Sequence, residues 1–218
     1  MSSTPLTQSV VIHPRADASA NTDTVIYLCS KSKLKNDAVN QLFENLQMFQ
    51  IHEKKKYRIV NLQIPEGLSP EQPINEWTSD ACSTRIWYGK ETQGLKDGDK
   101  IIALENGIYM YDDQKQYYDV CCMMVFDHTT KKTDRYNSFG IQIDPDLLGL
   151  YLNPVTNSQM RPDGSVYTRD QVITGYGSTF GQYLNRKFGV DPGNWMKDPR
   201  FGNVDRLKQM KDCCDKYL

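Results

Sequence analysis

Apolar and polar positions alternate with different periods along the chain, and each change of period predicts an element. Thr24–Ser30 (TVIYLCS) is apolar and β-branched at its start and predicts a strand. Asn36–Gln50 places Val39, Leu42, Phe43, Leu46 and Phe49 at three- and four-residue spacing, one apolar face of a helix. HEKKK, His52 to Lys56, is a solvated turn. Tyr57–Ile64 alternates as a second strand, and IPEGLSPEQP is a stiff, proline-punctuated loop. Ile74–Tyr88 predicts a second helix carrying Ala81, Cys82 and Ile86.

GLKDGDK is a turn cluster. IIALENGIYMY starts as a buried strand, and Asn106-Gly107 is expected to turn the chain sharply, leaving Glu105 at a strand end. Tyr117–Asp127 is a strong strand, HTTKKTD closes a hairpin, and Arg135–Ile143 returns as its partner. Pro145–Leu152 predicts a short helix. The stretch from Asn153 to Gly175 is loop-rich. Phe180–Phe188 predicts a helix ended by GVDPGNW, and Asn203–Tyr217 a closing helix with Val204, Leu207, Met210 and Cys214 along one side. The order is βαβα, then a meander, then helices. It predicts a mixed α/β domain over residues 24–218 rather than a pure doubly wound sheet. Residues 1–23 read as a flexible polar arm, in which Ser9–His13 has the character of a short edge strand.

Composition narrows the function classes. The chain has 218 residues, 39% of them hydrophobic, enough for a sizeable core. A net charge of -1 gives no whole-protein field for nucleic acid or a membrane surface, so any basic site is local. No apolar window is long enough for a membrane span, and the first residues lack the apolar block of a signal peptide. The six cysteines form no Cys-x-x-Cys pair. They are expected to be reduced core thiols in a reducing, cytoplasmic setting.

Three stretches carry candidate chemistry. Lys31, Lys33 and Lys35 crowd the start of the first helix. Cations there oppose the helix dipole, which a bound anion would offset. The Gly-rich Walker pattern is missing, and a solvated basic turn is the plain alternative. Glu105 ends an apolar run, where a carboxylate is costly unless paired or metal-bound. Its alternative is a solvent-facing strand end. The loop with Glu66, Glu71 and Glu76 is rigid and acidic, either a ligand-holding loop or a surface one. Together, lysines for phosphates and carboxylates for a hard cation suggest a triphosphate–metal site.

The same residues resemble the inosine/xanthosine triphosphatase family, a branch of the inosine-triphosphatase and Maf-like fold. In that family the first strand ends in a Thr-Thr-Asn-Pro-x-Lys type loop, and CSKSKLK takes its place here. Lys35 matches the phosphate-binding lysine and Ser30 a hydroxyl position. Ser32 stands for Asn and Lys33 for Pro. EGLSPEQP, Glu66 to Pro73, matches the Glu-x-x-x-Pro-Glu-Gln-Pro stretch, and LENGI matches the strand carrying the family's acidic residue, Glu105 here. INEWTSDACSTRI keeps Arg85, with Glu76 in a shifted register, and Pro199-Arg200 corresponds to a late Thr-Arg. The resemblance runs from Val25 to the C-terminus around a loop-rich insertion at about 153–195.

The resemblance implies an elongated mixed sheet flanked by helices in two lobes with a central cleft, and a homodimer. It implies hydrolysis of non-standard purine nucleoside triphosphates, ITP and XTP, with Mg²⁺ or Mn²⁺, as nucleotide-pool house-cleaning. Glu66 and Glu105 would hold the metal. Lys35, with Lys31 or Lys33, would neutralise phosphates. Ser30, Ser32 and Asn106 would contact substrate, and Arg85 and Arg200 would stabilise developing charge. A nucleotide-binding or protein-interaction domain without turnover is the alternative.

Overall fold

A computed structural model describes residues 24–49, 57–111, 113–153, 165, 168–173, 175 and 177–218. The expected N-terminal arm, the HEKKK turn and most of the 153–175 stretch lie outside the described residues.

Among the described residues the molecule is built on one mixed six-stranded sheet flanked by helices, an α/β architecture. β1 (Thr24–Leu28) pairs in parallel with β2 (Tyr57–Asn61) on one side and β3 (Lys100–Tyr111) on the other. β3 runs antiparallel to β4 (Gln116–Asp127) along its whole length. β5 (Thr133–Asn137) and β6 (Ile141–Ile143) then share the outer edge of β4, each antiparallel to it. The expected single return strand is thus split at Ser138–Gly140.

The helices follow from their ends and apolar faces. α1 (Lys33–Phe49) buries Ala38, Val39, Leu42 and Phe43 against one face of the sheet, beside α6 (Arg206–Asp215) with Met210, Cys213 and Cys214. α2 (Trp77–Thr92) covers the opposite face with Cys82 and Ile86. It starts later than expected because Ile74 first bridges Ile108 of β3 in extended form. α3 (Pro145–Leu152) begins with Asp144 accepting from the N–H groups of Asp146 and Leu147 at 2.9 and 3.0 Å. α4 (Arg169–Ile173) is short, and α5 (Phe180–Phe188) carries a capping box between Thr179 and Gln182. Gly189, at φ 70°, closes α5 by donating its N–H to Asn185 O at 2.7 Å. Two 3-10 turns, Trp195–Lys197 and Pro199–Phe201, lead into α6.

A third apolar cluster lies at the far end of β3 and β4. It packs Ile141, Ile143, Leu148, Tyr151, Phe180, Leu184 and Trp195. Val172, Phe180, Tyr183, Leu184, Val190 and Trp195 of the expected loop-rich insertion therefore belong to the core. All six cysteines are buried and unpaired, as expected for core thiols. Among the described residues no helix is long and apolar enough to cross a membrane.

The expected turn at the end of the Glu105 strand does not form. Asn106-Gly107 does not turn the chain; β3 passes straight through it, and Glu105 sits mid-strand. Asn106 pairs with Cys121 and Gly107 with Val120 of β4, while Ile108 N–H donates to Pro73 O at 3.0 Å on the other edge. Strand neighbours on both sides override the turn preference of Asn-Gly. Gly107 is needed for a different reason: a Cβ there would come within 1.8 Å of Thr78 Oγ1 at the start of α2.

A buried polar network fastens α6 to the sheet. Asp119 of β4 is 2% exposed and forms a two-pronged pair with the Arg206 guanidinium, itself 6% exposed. Gln209 donates to Asp119 O at 2.8 Å, and Asn106 Nδ2 donates to Asp119 Oδ1 at 3.2 Å and Gln209 Oε1 at 3.0 Å. Removing one partner strands a buried charge. Arg206→Met is predicted to cost about 3–5 kcal/mol in urea unfolding; a loss below about 1 kcal/mol would show the pair to be dispensable.

Candidate functional site

β1 and β3 pair only through Ile26–Leu28 and Lys100–Ile102, after which Cys29 N–H donates to Ile102 O at 2.9 Å. Farther along the same edge of β3, Pro73 and Asn75 take over at Ile108. Glu105 lies between these two attachments. The carboxyl ends of parallel strands, where the next helix begins, are the usual ligand crevice of open α/β sheets.

Glu105 is buried, with its side chain 8% exposed. Its Oε1 lies 3.0 Å from Lys35 Nζ and 2.8 Å from Arg85 Nε. Lys35 comes from the first turn of α1, which starts at Lys33, three residues earlier than its apolar pattern predicts. Arg85 comes from α2, one turn after Cys82. The guanidinium also donates from Nη1 to Cys29 O at 3.5 Å and from Nη2 to Ser69 Oγ at 3.3 Å. Its Nε–H is not aligned on a hydrogen-bond acceptor, although Oε1 is near. The neighbouring Cys29 thiol donates to Arg85 O at 3.4 Å. Burial pushes that thiol up to about 12, with Arg85 and Lys35 pulling the other way, so it stays protonated at neutral pH.

The other lysine-loop residues take separate roles. Lys31 Nζ donates to Gln63 Oε1 at 2.9 Å, tying the loop after β1 to the loop after β2. Lys33 pairs with Asp37 at 2.6 Å in solvent, the ordinary i,i+4 contact of a helix surface. Ser30 Oγ accepts from Ser32 N–H at 3.0 Å, which shapes the turn, and Ser32 is exposed.

The acidic loop is held firmly. Gln72 N–H donates to Gly175 O at 3.0 Å, and Gln72 Oε1 accepts from Phe180 N–H at 3.1 Å. Gly175 has φ 76°, and a Cβ there would meet Gln72 O at 2.0 Å. Ser69 connects the loop to Arg85, and so to Glu105. Glu66 is exposed on the loop's turn. Partial burial raises the Glu71 carboxyl above its ordinary value, and the charge of Glu66 adds to the rise. Among the described residues no three acidic, His or Cys side chains converge as a ready metal cage.

Lys35, Arg85 and Glu105 therefore converge, and Glu66 lies on the loop tied to them through Ser69. Besides the other lysine-loop residues, two further expected substrate contacts do not join them. Asn106 is directed to the opposite sheet face, into the Asp119–Arg206 network, because successive strand residues face opposite ways. Arg200 is held by Asp198 at 2.8 Å and lies over Phe188 and Phe201. It borders a separate cavity of about 520 Å³ lined by Phe139, Ile141, Phe180 and Trp195. Gln63 and Ser69 were missed by sequence reading. Their partners lie 32 and 16 residues away, and nothing local marks them.

No family model and no curated protein sequence matches the chain. Among solved structures, the chain is similar to protein VC0702 from Vibrio cholerae, with a TM-score of 0.58 at 14% identity. The similarity covers 88% of this chain and 91% of that one. At that identity the likeness shows a shared fold.

The raised Glu71 carboxyl sets a pH test. The folded state holds its proton more tightly than the unfolded chain does. Its stabilising contribution is full below the ordinary carboxyl value of 4.5 and is lost as pH rises through the raised one. Glu71→Gln is predicted to gain stability relative to the parent chain as pH rises above the ordinary carboxyl value of 4.5, read by thermal unfolding. Parallel pH–stability curves would contradict a raised Glu71 carboxyl.

Proposed function

We propose that the chain hydrolyses non-standard purine nucleoside triphosphates, ITP and XTP, with Mg²⁺ or Mn²⁺. The observation that carries this reading is the convergence of Lys35 and Arg85 on Glu105 at the mouth of α1. Lys35 and Glu105 come from separate stretches of sequence on chemical grounds, and Arg85 from the family resemblance. Their meeting within 3.0 Å supports one shared site. In this reading the third apolar cluster forms a second lobe, the cleft between the lobes takes the nucleotide, and the working unit is a cytoplasmic homodimer.

The chain's own residues would divide the work as follows. Lys35 supplies a mobile point charge to the phosphates. Arg85 supplies a planar, fixed one, braced by Cys29 O and Ser69. The first backbone N–H groups of α1 face the same anion. Lys31 and Gln63 stand at the rim. Positioning and charge neutralisation account for most of such a reaction.

A hard divalent ion suits the donors present, since Glu66, Glu71 and Glu105 offer only carboxylate oxygens. Mg²⁺ commonly needs just one or two carboxylates beside substrate phosphates, so a pre-formed cage is not required. Glu66 and Glu105 would hold it, and it would supply phosphate neutralisation and a more acidic bound water. Base choice follows from hydrogen bonding: a donor to O6 accepts hypoxanthine and leaves the adenine amino group mismatched.

One observation favours the second reading, a nucleotide-binding domain without turnover. The Glu105 carboxylate is already engaged by two cations, which competes with metal binding.

Phosphate and pyrophosphate release from ITP, XTP, ATP and GTP with Mg²⁺ tests the proposal. ITP and XTP are predicted to turn over faster than ATP and GTP, and Glu105→Gln to lose at least about a hundredfold in kcat. Binding of ITP without release would support the second reading. Neither binding nor release would sink both.

A further inference from the structure

The Lys35–Glu105–Arg85 cluster holds more positive charge than negative. Two cations share one carboxylate oxygen, and their side chains are only 13% and 19% exposed. Arg85's other partners are neutral oxygens, on Cys29 and Ser69. The first turn of α1 contains no acidic residue, so the helix dipole adds to the same sign. One positive charge is therefore left over in a shielded niche, where charges interact strongly.

The two cations are not held alike. Arg85 is braced on three sides, by Cys29 just after β1, the acidic loop and Glu105. Lys35 is a point charge on a flexible four-carbon stem, and Glu105 is its partner. It can turn away from Glu105 while the rest of the niche stays in place.

We propose that Glu105 is an internal competitor for anions at this niche, and that an oligophosphate binds by taking Lys35 from it. The ligand class is a multiply charged, flexible phosphate chain, whose several negative charges outmatch one carboxylate. The inference rests on the same site as the hydrolase reading but requires neither a metal nor turnover. Its consequence is unusual: removing the acid improves binding. An acid whose role in binding is only to hold the fold or orient the ligand gives the reverse.

The test is metal-free binding of inorganic tripolyphosphate, with a chelator present, by titration calorimetry. Glu105→Gln is predicted to bind about tenfold tighter than the parent chain, the gain from removing one close charge competitor. Lys35→Met is predicted to bind at least about tenfold more weakly. Equal or weaker binding by folded Glu105→Gln overturns the proposal, as does an absence of binding by the parent chain. Should Glu105→Gln not fold, the parent chain labelled with ¹³C-glutamate gives the answer. The Glu105 carboxyl resonance is expected to shift as tripolyphosphate saturates the site, and an unmoved resonance at saturation overturns the proposal. ITP turnover on the same preparations separates the two ideas. Turnover by the parent chain with no affinity gain in Glu105→Gln sinks this inference alone. The gain without parent turnover sinks the hydrolase reading alone.

Discussion

A carboxylate in the middle of a sheet needs a counter-charge from outside its own strand, and Glu105 draws its counter-charges from two helices. Lys35 reaches it from α1 and Arg85 from α2, which cover opposite faces of the sheet. This is possible because β1 stops pairing with β3 after Leu28, leaving an edge where side chains from both layers meet. Burying the acid without either cation would cost several kcal/mol. The fold at this point is thus tied to the same ion cluster that gives the site its chemistry.

The next residue does a different job. Asn106 faces the other side and joins Asp119, Gln209 and Arg206, so one turn of the pleat separates the candidate site from a structural network. The network holds α6 against β4 and gives the strand around Glu105 a fixed backing. Gly107, one residue on, lets the start of α2 approach the strand closely. Three consecutive residues therefore serve charge, anchoring and packing in turn.

Some of this was legible in the sequence. The α3 and α5 ranges were read in full, because Asp144-Pro145, Thr179 and Gly189 are strong local end signals. The strong β4 pattern was read to within one residue. The reading failed where distant contacts overrule local preference. Asn106-Gly107 looks like a turn until β4 is known to pair alongside it. Ile74 looks helical until it bridges Ile108. At the site, Lys35, Arg85 and Glu105 were named from residue type and resemblance, and they converge. Arg200 was named in the same way, yet its contacts are with Asp198 and two phenylalanine rings. The Asp119–Arg206 pair was invisible, since 87 residues separate its members and neither carries a local signal.

The central claim is that Lys35 and Glu105 are energetically coupled rather than merely adjacent. A double-mutant cycle on unfolding free energy tests it, using Lys35→Met, Glu105→Gln and the pair together. The account predicts a coupling of about 1–3 kcal/mol, because both side chains are shielded from solvent. Effects that add to within about 0.5 kcal/mol would contradict it.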